Sequence, residues 1–270
     1  MRVCARRGGT DGGGLGVDRR AEAGPMRRGS VLARRAVLAG LLCAASALHA
    51  SPPQEPEAHA TGIFLNMEGD VLTARHAVDG CRRLYALKDG RVAPAWVRAT
   101  ARDMDAAVLK TGLKPILAAT FPVETPASAL AVPVFAEGYS ALQAMPDRAR
   151  AMFNAVTVPG RERFSMMSPV RPGASGSAVL GADGRVLAMV VERAVVSPGA
   201  GDVRSLSRHA GRRLPAGGAT EVAAVPAQAI KTFLRENFVG FDESEHAQLG
   251  HDQPGAPRAA TLSAGVICEK

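Results

Sequence analysis

Arg171-Pro172-Gly173-Ala174-Ser175-Gly176-Ser177-Ala178 sets a serine between two glycines immediately ahead of an apolar run at 177–180. Glycines at such spacing allow a tight backbone turn that exposes the serine and aims main-chain N–H groups at one point. A serine hydroxyl is a poor nucleophile near neutral pH and needs an adjacent base, which in turn needs an acceptor to hold its other ring nitrogen. Two upstream segments supply those residue types. Thr73-Ala74-Arg75-His76-Ala77-Val78 ends an apolar run with a histidine, and Asp103-Met104-Asp105-Ala106-Ala107-Val108-Leu109 opens one with an acid. Taking Asp105 as the acid, the order is His76, Asp105, Ser175; Asp103, two residues earlier on the same strand face, is the rival acid.

Around these segments, short apolar runs recur with turn residues between them. Those at 62–66, 71–74, 84–87, 92–99 and 105–110 form one set, and those at 131–137, 152–158, 177–180, 185–191 and 221–225 a second. Their lengths are those of strands, and Glu68-Gly69-Asp70, Lys88-Asp89-Gly90 and Gly181-Ala182-Asp183-Gly184 carry turn chemistry. The spacing predicts an all-β chain built as barrels or sandwiches. One helix is predicted from Pro226, with Ile230, Phe233, Leu234 and Phe238 on one face. Segment 196–220 reads as a loop and 241–270 as a polar, proline-interrupted flexible tail.

Composition excludes several classes. With 270 residues, 47% hydrophobic and 21% charged, the chain is globular, and its 29 glycines and 18 prolines follow no period, which rules out a collagen-like or wholly disordered chain. The formal charge of +8 suggests nucleic acid until it is located: residues 1–50 hold nine arginines against three acids, so the remainder carries only +2 with no basic cluster. From Met26 a basic stretch leads to an apolar run at 36–48 and then to small residues, the layout of a secretory signal. That run is shorter than the ~20 residues of a spanning helix, so no permanent membrane span is expected. Cleavage fits after Ala47 or Ala50, and the Arg34-Arg35 pair leaves general and twin-arginine export both open. The expected organisation is a leader at 1–50 with the signal at 26–50, a linker at 51–60, and a folded remainder that is exported, periplasmic or secreted. The start at Met1 or Met26 stays open.

Removal of the leader leaves Cys81 and Cys268, one possible pair in a compartment that permits disulfides, and whether they join is open. No Cys-x-x-Cys or His-x-x-x-His spacing occurs, so neither a metal nor another cofactor is expected. His59, His209, His246 and His251 lie in linker, loop or tail and are expected to face solvent.

Together the His, Asp and Ser segments resemble the motifs of trypsin-like (chymotrypsin-fold) serine peptidases, and within them the bacterial heat-shock branch, whose His motif reads roughly T-x-x-H-V-V and whose Asp motif reads D-x-A-V-L. The resemblance runs from about Thr61 to Leu234, taking in Thr-Gly-Ile-Phe before the first turn and Ala-Val-Pro-Ala before the predicted helix. It implies two antiparallel six-stranded β-barrels with a C-terminal helix: an N-terminal barrel at 61–130 supplying His76 and Asp105, and a C-terminal barrel and helix at 131–240 supplying Ser175. It further implies that His76 is the general base, Asp105 its orienting acid and Ser175 the nucleophile, with the N–H groups of Gly173 and Ser175 as the oxyanion hole. Tyr139, after Gly138, resembles a strand-end aromatic of the family that serves packing. Ala174 and Ser177-Ala178 stand where the family often has Asn and Gly-Pro, and the residues after Val195 are too few for the branch's peptide-binding domain.

Two function classes follow. One is a secreted serine endopeptidase acting on polypeptides through an acyl-enzyme; the other is a non-catalytic binding protein on the same fold, because fold alone does not decide function. Oligomeric state and side-chain preference leave no mark in the sequence.

Overall fold

The computed structural model describes residues 58–124, 130–161, 163–197, 200–205 and 220–270; the leader and most of the linker lie outside them. Six strands close a first antiparallel barrel in the order β1 (Ala60–Phe64), β15 (Ser263–Glu269), β3 (Arg83–Lys88), β4 (Arg91–Thr100), β5 (Ala107–Thr111) and β2 (Asp70–Thr73), which returns to β1. Between β3 and β4, Asp89 and Gly90 both take positive φ (48° and 75°), the backbone of a two-residue hairpin turn whose twist matches its strands. That is the turn the Lys88-Asp89-Gly90 chemistry predicts.

A second ring runs β10 (Ala178–Leu180), β7 (Pro133–Ala136), β8 (Ala155–Val158), β9 (Phe164–Ser168), β13 (Thr220–Pro226) and β11 (Val186–Ser197), and closes through β10–β11 pairing. The Gly181–Gly184 hairpin joins β10 to β11, with Gly184 N–H donating to the Gly181 carbonyl (2.9 Å). The first half of the expected loop at 196–220 instead extends the sheet: β12 (Ala200–Ser205) pairs with the far end of β11, and residues 206–219 lie outside the described ones. Val134, Ala136, Met166, Val179, Val190 and Val222 fill this barrel, and Phe64, Leu72, Leu109 and Val266 are among those filling the first.

The principal correction concerns the C-terminus. Residues 241–270 are not a flexible tail: β14 (Asp242–Ser244) pairs in parallel with β6 (Thr120–Pro122), α3 (Gly255–Leu262) packs inward, and β15 inserts between β1 and β3. The first barrel's boundary at 61–130 fails accordingly, because that barrel takes its sixth strand from the far end of the chain. The prolines expected to break structure start it: Pro254 caps α3 and Pro257 lies in its first turn, where no intrahelical N–H bond is lost. Along β15, Ala264, Val266 and Cys268 alternate into the barrel core. A disulfide joins Cys268 to Cys81 with Cα atoms 5.4 Å apart, which answers the pairing left open above. His59 is buried beside it, accepting the Cys268 N–H at Nδ1 (3.2 Å), contrary to the solvent-facing expectation.

The predicted helix is α2 (Ala227–Glu236), with Pro226 as its cap and Ile230, Phe233 and Leu234 buried. Phe238 does not share that face. The helix ends in a Schellman turn, Val239 N–H bonding the Leu234 carbonyl and Phe238 N–H that of Arg235, which puts Phe238 at φ 53° and leaves it 89% exposed. Buried Lys231 fastens α2 to the inter-barrel connection through the carbonyls of Pro122 and Val123 and to Glu243. No helix among the described residues is long and apolar enough to cross a membrane.

Candidate active site

β2 ends at Thr73, and the chain turns at once into the single 3₁₀ turn Arg75–Ala77 that presents His76. Arg75 steadies this turn from its neighbour, donating to the Ala101 carbonyl (2.7 Å) at the head of the loop that bears Asp105. Asp105 accepts twice from His76, at Oδ1 from the backbone N–H (2.9 Å) and at Oδ2 from the ring Nδ1 (2.5 Å). Burial pushes the Asp105 carboxyl up, but the side-chain and backbone hydrogen bonds from His76, with the charges of His76 and Arg75, outweigh it and hold the group below the ordinary carboxylate range. An ionised Asp105 can only accept, so the proton between them sits on Nδ1, and in the neutral ring Nε2 is then the acceptor. That nitrogen lies 3.1 Å from Ser175 Oγ. Ser175 also approaches the Val191 carbonyl (3.4 Å) and is fully buried as a residue. Asp103, the rival acid, is exposed; with Asp105 it is among the residues that line a cleft of about 380 Å³, as are Arg102, Met104, Phe164 and Val225.

Two successive turns build the backbone around the serine. Ala174 N–H bonds the Arg171 carbonyl (3.1 Å) across Pro172 and Gly173, and Ser177 N–H bonds the Ala174 carbonyl (2.9 Å) across Ser175 and Gly176. Gly173 (φ 98°) and Gly176 (φ 87°) occupy the third positions, where a type II turn requires positive φ, and proline suits the position before Gly173. Gly176 has a second reason to be glycine, since a Cβ there would run into the Thr61 carbonyl of β1. The N–H groups of Gly173 and Ser175 take no backbone partner among the described residues.

The residues singled out in the sequence therefore come together: His76, Asp105 and Ser175 in one hydrogen-bonded line, with Gly173 beside them. What sequence reasoning misses is the framing. Thr61, Thr73 and Glu137 are buried around the serine turn; Thr61 and Thr73 stood in segments already marked, Thr-Gly-Ile-Phe and Thr73–Val78, and Glu137 at the end of the run 131–137, but none was marked for this framing. Tyr139 packs as expected, 4% exposed, and its hydroxyl accepts the Asp89 N–H (3.1 Å). Among the described residues no group of three or more His, Cys, Asp or Glu side chains could hold a metal ion.

Two closed six-stranded barrels with this line of side chains between them have the chymotrypsin-like architecture, the fold of a large class of serine peptidases. Residues 60–189 match the family model of the trypsin-like peptidase domain. No curated protein matches the sequence. Similar solved structures include the HtrA-type protease AlgW with a decapeptide, at TM-score 0.44 and 19% identity over 67% of this chain and 51% of that one. They also include Rv3671c from M. tuberculosis in an inactive form, at 0.44 and 16% over 66% and 81%, and the serine endoprotease from Yersinia pestis, at 0.44 and 15% over 66% and 57%. The chain spans about half the length of the AlgW chain it matches.

Proposed function

We propose that the protein is an exported serine endopeptidase that cleaves polypeptides through an acyl-enzyme on Ser175. The observation that carries this reading is the continuous line Asp105, His76, Ser175, with Nε2 3.1 Å from Oγ. In the first step Ser175 Oγ bonds to the scissile carbonyl carbon while Nε2 of His76 takes the hydroxyl proton. The carbonyl oxygen becomes an anion that the N–H groups of Gly173 and Ser175 stabilise. Collapse of this intermediate breaks the C–N bond, His76 returns the proton to the departing amine, and the acyl group remains on Ser175. Water then attacks the ester with His76 again as base, releasing the carboxylic acid and regenerating the serine. Ionised Asp105 holds the ring in the one tautomer this requires. Export is inferred from the basic and apolar order of residues 26–50.

Purified protein incubated with casein tests the reading. Hydrolysis by the wild type, absent in Ser175→Ala of unchanged melting temperature, is expected. A folded wild type that binds unfolded polypeptide without cleaving it would return the chain to the class of binding proteins.

A further inference from the structure

Thr61 lies in β1 of the first barrel, fully buried, yet both its backbone and its side chain bond to the serine turn of the second. Its N–H donates to the Ser175 carbonyl (2.9 Å) and its hydroxyl to the Gly173 carbonyl (2.7 Å). The same hydroxyl oxygen accepts the N–H of Tyr139 (2.8 Å), and the Thr61 carbonyl accepts the hydroxyl of Thr73 (2.7 Å). Each of its polar groups is used. A backbone N–H can only donate and a carbonyl can only accept, so the bond from Tyr139 commits the single hydroxyl proton of Thr61 to Gly173.

We propose that Thr61 is a positioning residue that sets the direction of the Ser175 N–H, one of the two oxyanion-binding groups, from the opposite barrel, a role that rests on the peptidase reading above. The peptide unit carrying the Ser175 N–H lies between two others, one holding the Gly173 carbonyl and one holding the Ser175 carbonyl. Thr61 grips both of those carbonyls. With its neighbours fixed, the unit between them has little freedom to rotate, and the Ser175 N–H keeps one direction. The hydroxyl bond also keeps the Gly173 carbonyl turned toward β1. Gly138 packs against the same turn, where an added Cβ would come 3.0 Å from the Gly173 oxygen and 3.1 Å from Ala174, which leaves the turn little room to shift on that side.

Thr61→Val keeps the β-branched shape and the backbone bond to Ser175 while deleting the hydroxyl. On a fluorogenic peptide, kcat is expected to fall about 10- to 100-fold, less than for loss of an oxyanion donor itself, with KM within about twofold, because the interaction matters only when the oxyanion forms. The pH–rate profile should keep its midpoint, since His76 and Asp105 are untouched, and Thr61→Ser should restore kcat to within about threefold of wild type. A Thr61→Val enzyme with unchanged kcat, one that loses KM rather than kcat, or a Thr61→Ser enzyme as slow as Thr61→Val would overturn the role. Should Thr61→Val lose its cooperative melt, Thr61→Cys, similar in size with a feebler donor, is read in its place by the same criteria. Wild-type turnover together with its loss in Ser175→Ala keeps the peptidase reading standing if Thr61 fails alone. A wild type without turnover overturns both.

Discussion

The two barrels reach closure by different routes. The second is assembled from residues 133–226 in one contiguous stretch, whereas the first begins at Ala60 and is not closed until the last strand, Ser263–Glu269, slides between β1 and β3. Each contributes half the site: the contiguous barrel holds the serine turn, and the barrel closed from afar holds His76 and Asp105. The half that holds His76 and Asp105 therefore depends on a strand about 190 residues away in sequence, and the Cys81–Cys268 bond fastens that strand five residues beyond His76. Because closing so long a loop costs chain entropy before any contact rewards it, the first barrel is the part whose integrity can be broken from outside the site.

Removing residues 263–270 should have the largest effect. It strips β1 and β3 of their partner and opens the core around Ala264 and Val266, and the truncated chain is expected to show neither a cooperative melt nor peptidase activity. A truncated protein with wild-type activity would show that the first barrel closes without its last strand.

Substitutions in the line of side chains should abolish chemistry while sparing both barrels. Asp105→Asn is expected to lower kcat about 10⁴-fold by favouring the wrong tautomer of His76, with Asp103→Asn nearly silent, checked side by side on one peptide. Reversed ranking would transfer the acid's role to Asp103. The Asp105 carboxyl sits lower in the folded chain than in the unfolded one, so its contribution to stability is present above about pH 4 and is lost as pH falls through its folded value. Asp105→Asn should flatten that part of the melting curve against pH.

Cutting the fastening alone is a gentler version of truncation. Cys81→Ser with Cys268→Ser is expected to cost about 2–5 kcal/mol of stability, read by urea unfolding, while the fraction that stays folded keeps its kcat. Equal stability with and without the bond would mean that strand pairing alone holds β15.

The smallest effect belongs to the second barrel. Glu137 is 8% exposed at the end of β7, where burial pushes its carboxyl up more than the Gly138 N–H and the charge of Arg171 pull it down. Its ionisation is thus harder in the folded state than in the unfolded one. The penalty is absent below about pH 4, where both states hold the proton, and is fully present above the folded value. Glu137→Gln should therefore melt slightly higher than wild type at pH 7 and no higher near pH 4; a variant less stable at pH 7 would contradict this.

The difference between the barrels also explains what could be read in advance. Residues of the site were legible because their chemistry is local: a glycine-flanked serine, a histidine ending one run and an acid opening another. So were the hairpins at Asp89-Gly90 and Gly181–Gly184, whose turn residues act on their nearest neighbours. The closing strand was not, because its seven residues follow a polar stretch with two prolines and gain their meaning only from β1 and β3. Its one long-range trace was Cys268, whose partner the spacing could not decide. Phe238 misled for the opposite reason: it keeps the helical period, but the Schellman turn after Glu236 rotates it off the buried face. Thr61 was legible as part of a motif and not as a clamp, since its partners lie 112 and 114 residues away.

The central claim, that a line of side chains from the first barrel activates a serine held by the second, is tested most directly by intact-mass measurement after treatment with a fluorophosphonate. The account predicts one adduct on the wild type, mapped to Ser175, and labelling slowed by several orders of magnitude in His76→Ala, in keeping with the loss that removal of one triad member brings. An adduct on another residue, or equal labelling of Ser175 in His76→Ala, would contradict it.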